Sequence, residues 1–113
     1  MKVIIAGSRS ITDYALVEKA INDSGFKITE VVSGHAHGVD TLGEQWAEEH
    51  RIPIKIFKAD WETYGKLAGY KRNYQMGVYA KALIAVHQNS SPGTRHMIAT
   101  MHDMNKLSFV YKV

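Results

Sequence analysis

The chain contains no cysteine, so a disulfide framework, a thiolate zinc site and a cysteine nucleophile are all excluded. No hydrophobic run approaches the length of a membrane span. The first apolar stretch, Val3 to Ala6, is too short for the core of a signal peptide, so a cytoplasmic location without a membrane partner is expected. No basic run is present either: 14 lysines and arginines face 11 acidic residues, giving a net charge of +3. That balance suits an anionic ligand and falls short of a nucleic-acid-binding arm. The six histidines add positive charge only below about pH 6.5. Neither the P-loop pattern nor the Gly-x-Gly-x-x-Gly dinucleotide fingerprint occurs, so a phosphate here is not held in the usual triphosphatase or dehydrogenase manner.

What remains is a chain of 113 residues, 45% of them hydrophobic, enough for one folded core and expected to form a single domain. Two segment types alternate along it. Lys2 to Ala6, Ile28 to Val32, Ile52 to Phe57, Ala82 to Val86 and Leu107 to Val113 are short and rich in Val, Ile and Phe. The first and fourth are almost wholly apolar, as strands covered on both faces are. Helical spacing joins Leu16, Ala20 and Ile21 within Asp13 to Ser24, with Gly25 as a stop. It recurs in Val39 to His50, through Val39, Leu42, Trp46 and Ala47, and in Arg95 to Met104, through Met97, Ile98 and Met101. Another helix is expected from about Gly69 to Ala80. The alternation predicts a Rossmann-like three-layer α/β/α fold with a five-stranded parallel sheet, and right-handed crossovers favour the order 3-2-1-4-5. Lys58 to Gly69, with Trp61 and Tyr64, reads as one long irregular loop.

Open parallel sheets bind ligands beyond the carboxyl ends of their strands, where the strand order reverses. In this order that crevice lies between the first and fourth strands. The loops beside it are Gly7-Ser8-Arg9-Ser10, Ser33-Gly34-His35-Ala36-His37-Gly38, and Gln88 to Thr94 with Ser90, Ser91, Gly93 and Thr94. Glycine lets backbone amides approach an anion closely, and a following helix adds unsatisfied N–H groups and a favourable dipole. Serine and threonine hydroxyls donate, and Arg9 can grip two phosphate oxygens. On the other reading these glycines only turn the chain and Arg9 pairs with a surface carboxylate.

Other features divide similarly. Thr41 and Glu44 have capping-box spacing, and Asp40 can cap the same helix; capping competes with ribose binding or catalysis for both acids. Trp46 lies on an apolar stripe and is assigned to the core. Trp61 and Tyr64 can stack on a base or close the sheet edge. His35 and His37 alternate as metal ligands can but lack a clear third partner, and His96 and His102 fall on different sides of a helix. No metal and no cofactor is assigned.

Four motifs in order carry a resemblance: Gly7-Ser8-Arg9, then Ser33-Gly34-x-Ala36-x-Gly38-Val39-Asp40, then Ala68-Gly69-x-x-Arg72-Asn73-x-x-Met76, then Ser91-x-Gly93-Thr94-x-His96-Met97-Ile98. Over nearly its whole length the chain is similar to the SLOG superfamily, and most of all to its small YspA-like branch. The resemblance implies a Rossmannoid sheet that binds nucleotides or nucleotide-derived ligands. It carries over as pocket residues Gly7, Ser8, Arg9, Gly34, Gly38, Asp40, Arg72, Asn73, Gly93 and Thr94. LOG-type members hydrolyse the N-glycosidic bond of nucleoside monophosphates, DprA-like members bind single-stranded DNA, and others are linked to nucleotide sensing in conflict and defence.

Two departures bear on function. YspA-like members commonly show Gly-Gly-Ala-Arg where this chain has Gly34-His35-Ala36-His37, which replaces a fixed cation with an imidazole. The LOG-type motif ends in a catalytic acid, whereas Arg95, His96 and Met97 follow Gly93-Thr94 here. The leading expectation is therefore a binding protein for a nucleotide-like small molecule, acting as sensor, carrier or sequestering agent. The alternative is an N-glycosidase using Asp40 or Glu44. A third is single-stranded nucleic-acid binding through Tyr64, Lys66, Tyr70, Lys71 and Arg72. Self-association into a homo-oligomer is expected, since a small domain gains core by pairing.

Overall fold

A computed structural model describes residues 1–89 and 91–113. Strand β1 (Lys2–Gly7) is followed by helix α1 (Tyr14–Ser24), β2 (Glu30–Ser33), α2 (Val39–Glu49) and β3 (Ile54–Ile56). Then come the short α3 (Trp61–Tyr64), a 3-10 turn (Gly65–Leu67), α4 (Ala68–Tyr79), β4 (Ala82–His87), α5 (Pro92–Asp103) and β5 (Leu107–Lys112). The five strands form one parallel sheet in the order β3-β2-β1-β4-β5, as the alternation of segments predicts.

Side-chain alternation along the strands sorts the core into two halves. Val3 and Ile5 of β1, Val31 of β2, and Ile84 and Val86 of β4 face α1 and α2, where Val17, Ile21, Val39, Trp46 and Ala47 cover them. Ile4 and Ala6, Val32, and Leu83 and Ala85 face the other way, onto Met76, Ala80, Met97 and Met101 of α4 and α5. Burying each of these Val, Ile, Leu or Met side chains is worth about 1.5–3 kcal/mol, and every residue of β4 is buried. The almost wholly apolar composition of β1 and β4, broken only by Lys2 and His87 at their ends, follows from this central position.

The helix ends show where local rules held. Asp13 caps α1 by accepting from the Ala15 amide, and Gly25 closes it by donating to the Asn22 carbonyl. The capping box at α2 does not form. Gly38 is the N-cap there, Thr41 Oγ1 donates back to the Gly38 carbonyl, and Glu44 turns away to Ser33 and His35. Two other expectations are corrected. The stretch from Lys58 to Gly69 is not irregular: Asp60 caps α3 through the Thr63 amide, and the 3-10 turn leads straight into α4. Helix α5 starts at Pro92 rather than Arg95, because proline at the first helical position lacks only an N–H that the helix leaves unpaired anyway. Among the described residues no helix is long and apolar enough to cross a membrane.

Candidate functional site

The β1 and β2 loops meet almost backbone to backbone. A Cβ on Gly7 would lie 1.8 Å from the Val86 carbonyl oxygen, and one on Gly38 would lie 2.3 Å from that of Ser8. Gly38 also takes a φ of 79°, a conformation that side chains disfavour. Ser8 fastens the β1 loop to the β4 loop: its amide donates to Val86, its hydroxyl receives the Gln88 amide at 2.8 Å, and Ser91 shares the same hydroxyl. These contacts hold the end of the sheet open between β1 and β4.

The opening is a cleft of about 480 Å³. Gly7, Arg9 and Ser10 line it from β1, Asp40 from α2, Arg72 and Asn73 from α4, and Ser91, Gly93 and Thr94 from α5. Ala6, Met76 and Met97 supply an apolar floor. The first turn of α5 presents backbone N–H groups that the helix itself leaves unpaired. Asn73, buried, steadies that turn by donating to the Gly93 carbonyl at 3.2 Å and to His96 Nδ1 at 3.1 Å. Burial holds His96 below the usual imidazole range, which suits its acceptor role in this bond.

Two charged groups dominate the wall. Asp40 is only 6% exposed, and its burial pushes the carboxyl up to about 6 despite the Ala36 amide it accepts from and the nearby Arg72. Arg72 donates through Nη1 to the Gly34 carbonyl at 3.0 Å, while its Nε is buried and finds no partner among the described residues. Burial and the like charge of Arg9 press its pKa down, and Asp40 opposes them. Among the described residues neither Arg9 nor Arg72 forms an ion pair with a carboxylate.

A second cavity of about 320 Å³ adjoins the first and shares Arg9, Ala36 and Arg72 with it. Gly34, His35 and His37 line it together with Lys58, Ala59 and Trp61.

Not every residue singled out by sequence faces these spaces. Ser8 is spent on Gln88 and Ser91, and Gly38 on loop packing. Ser33 is fully buried; its hydroxyl donates to Glu44 at 2.7 Å and accepts the His35 amide. Glu44 lines neither cavity, because Ser33 and the Nδ1 of His35 hold it beneath the β2 loop. Ser90 lies outside the described residues. The sequence reading did not assign Gln88, Asn89, Lys58, Met76 or Met97 to a site. The methionines carried only a helical stripe or family-motif signal, and Lys58 reaches the site only because α3 folds beside α4.

Fold and cleft together define a Rossmann-like α/β domain with a crevice at its topological switch point. The chain belongs to the YspA, cpYpsA-related SLOG family, whose model matches residues 1–64, so the superfamily resemblance holds. The first two motifs fall inside that match, and the Arg72-Asn73 and Gly93-Thr94 motifs lie beyond it. A curated relative, the Gene 61 protein of Mycobacterium phage D29, is 35% identical over 105 residues, covering 84% of this chain and 83% of the relative. Among solved structures, DNA processing protein A (DprA) from Streptococcus pneumoniae matches with a TM-score of 0.78 at 17% identity. The match covers 96% of this chain and 49% of that one, so the chain spans about half the length of that structure and shares its fold.

Proposed function

We propose that the cleft binds a nucleotide or nucleotide-derived small molecule through its phosphate, and that the protein works in the cytoplasm as a sensor, carrier or sequestering agent. One observation carries this reading: two arginines that form no ion pair with a carboxylate among the described residues converge, with the open first turn of α5, on a single cleft walled by glycine backbone. Guanidinium groups match phosphate geometry, and helix N-termini favour the same charge. Titration calorimetry with AMP on the wild-type chain and on Arg9→Ala tests it. Arg9 is exposed, so the variant should keep its circular dichroism spectrum while AMP affinity falls by about tenfold or more. Undiminished affinity in Arg9→Ala would sink the assignment.

A second reading rests on Asp40. A buried carboxyl displaced to about 6 on the wall of a cleft has the properties of an acid–base group, and among the described residues it is the one acid that lines this cleft with Arg72 and Asn73. An N-glycosidase acting on nucleoside monophosphates would use it to activate water or to stabilise positive charge developing on the ribose. Glu44, committed to Ser33 and His35, is the poorer candidate for that role. Incubation with nucleoside monophosphates followed by chromatography of free base decides between the readings. Binding without released base leaves only the first.

A further inference from the structure

We propose, building on the nucleotide-binding reading above, that the ligand is two-armed: two nucleosides joined through a pyrophosphate, the second arm lying in the cavity formed by His35, His37, Lys58 and Trp61. Three observations lead there.

The first is charge. Arg9 and Arg72 stand on the wall common to both cavities, and the second cavity adds Lys58 and two imidazoles with no carboxylate in its lining among the described residues. Asp40 is the acid beside these cations on the first-cavity side, and Arg9 still adds to the burial that presses the pKa of Arg72 down. A monophosphate in the first cavity answers one side of this wall. A pyrophosphate at the junction answers both arginines, whose guanidinium groups line both cavities.

The second is the construction of the β2 loop. His35 sits in the left-handed region at φ 59°, a conformation costing a non-glycine residue about 1 kcal/mol or more. The loop spends further hydrogen bonds to keep it there. The His35 amide donates to Ser33 Oγ at 3.0 Å, and Glu44, itself held by Ser33, takes Nδ1 at 2.9 and 3.0 Å. With Nδ1 engaged, Nε2 is the ring atom left to meet a ligand. A surface turn with no task has no need of this scaffold.

The third is shape. Trp61, 52% exposed, stands at the rim of the second cavity with its ring edge against Gly69. Its open face fits the stacking of a second base, at about 1–3 kcal/mol per base.

Calorimetry with two probes, AMP and diadenosine pyrophosphate, tests the proposal on the wild-type chain and on Lys58→Ala/Trp61→Ala. Both positions are exposed, and an unchanged melting temperature confirms that the fold is kept. The two-armed probe should bind wild type at least about tenfold more tightly than AMP. The double variant should lose that gain while AMP affinity stays within about twofold, and Trp61→Phe, which keeps a stacking ring, should retain most of it. Equal affinities for the two probes on wild type, or a gain that survives in the double variant, overturn the second arm and leave nucleotide binding standing. Binding of neither probe overturns both readings. An oligodeoxyadenylate that outcompetes the two-armed probe with a steep salt dependence assigns the second cavity to a nucleic-acid track, and the small-molecule ligand fails.

Discussion

Replacing Asp40 with Asn should make the protein more stable at neutral pH, by an amount that vanishes in acid. The Asp40 carboxyl titrates at about 6 in the folded chain, against 3.8 for the free side chain, because burial disfavours its charge. Between those values the folded state holds more protons than the unfolded state, so stability falls as pH rises. The favourable contribution is complete below about pH 4 and is lost as the pH passes through about 6. The displacement from 3.8 to about 6 corresponds to about 3 kcal/mol, a large share of the stability of a small domain. Asparagine keeps an oxygen for the Ala36 amide, 3.3 Å away in the wild type, and carries no charge. Urea unfolding of both proteins from about pH 4 to about pH 7 isolates the effect, since all other titrating groups cancel in the difference. The variant should gain up to about 3 kcal/mol over wild type across that range. Parallel stability curves would refute the reasoning and place the Asp40 carboxyl near its ordinary value. The same linkage reaches the ligand: an anion in the cleft favours protonated Asp40, so the AMP affinity of Asp40→Asn relative to wild type should rise as the pH passes through about 6, the phosphate's own ionisation being common to both proteins.

Three further outcomes follow from the packing. Gly7→Ala drives a methyl group onto the Val86 carbonyl at 1.8 Å and should cost at least about 4 kcal/mol, seen as loss of the cooperative thermal transition; a variant that melts normally would contradict the close approach of β1 and β4. Lys106→Met keeps the aliphatic stem but removes an ammonium that donates to the carbonyls of Gly77, Val78 and Ala80 at 2.6, 3.1 and 2.7 Å. About 2 kcal/mol should disappear from the unfolding free energy, and no change would mean that water replaces those bonds without cost. Asn73→Ala frees the first turn of α5 from α4 and should weaken AMP binding about tenfold by calorimetry, whereas full affinity would show that the turn holds its shape unaided.

The strand order was legible because β1 and β4 are apolar on both faces, which only central strands of a parallel sheet require. The converging glycine loops were legible for a related reason, since topology alone brings the ends of β1, β2 and β4 together. Other parts depended on tertiary choices that local rules do not contain. Thr41 and Glu44 satisfy the spacing of a capping box, yet Ser33 and His35 compete for Glu44 from another loop and win. Ser8 carries the right chemistry for phosphate but is consumed in fastening two loops. Lys58 gave no local signal, because its place in the second cavity depends on α3, which a four-residue helix hardly announces. Pro92 carries a start signal for α5, although the apolar stripe of that helix begins only at Met97.

The pinched contact between the β1 and β2 loops also bears on how such a site can diversify. With Gly7 against Val86 and Gly38 against Ser8, neither loop can accept a side chain at those positions unless its neighbour retreats. New specificity is therefore hard to reach through the inner wall, where a single change damages the sheet before it alters the ligand. The outer rim is freer of that restriction: His37, Lys58 and Trp61 are exposed and can be exchanged one at a time. If the cleft binds phosphate as proposed, a lineage built on this frame can keep that interior and vary the molecules it recognises by substitution at the rim alone.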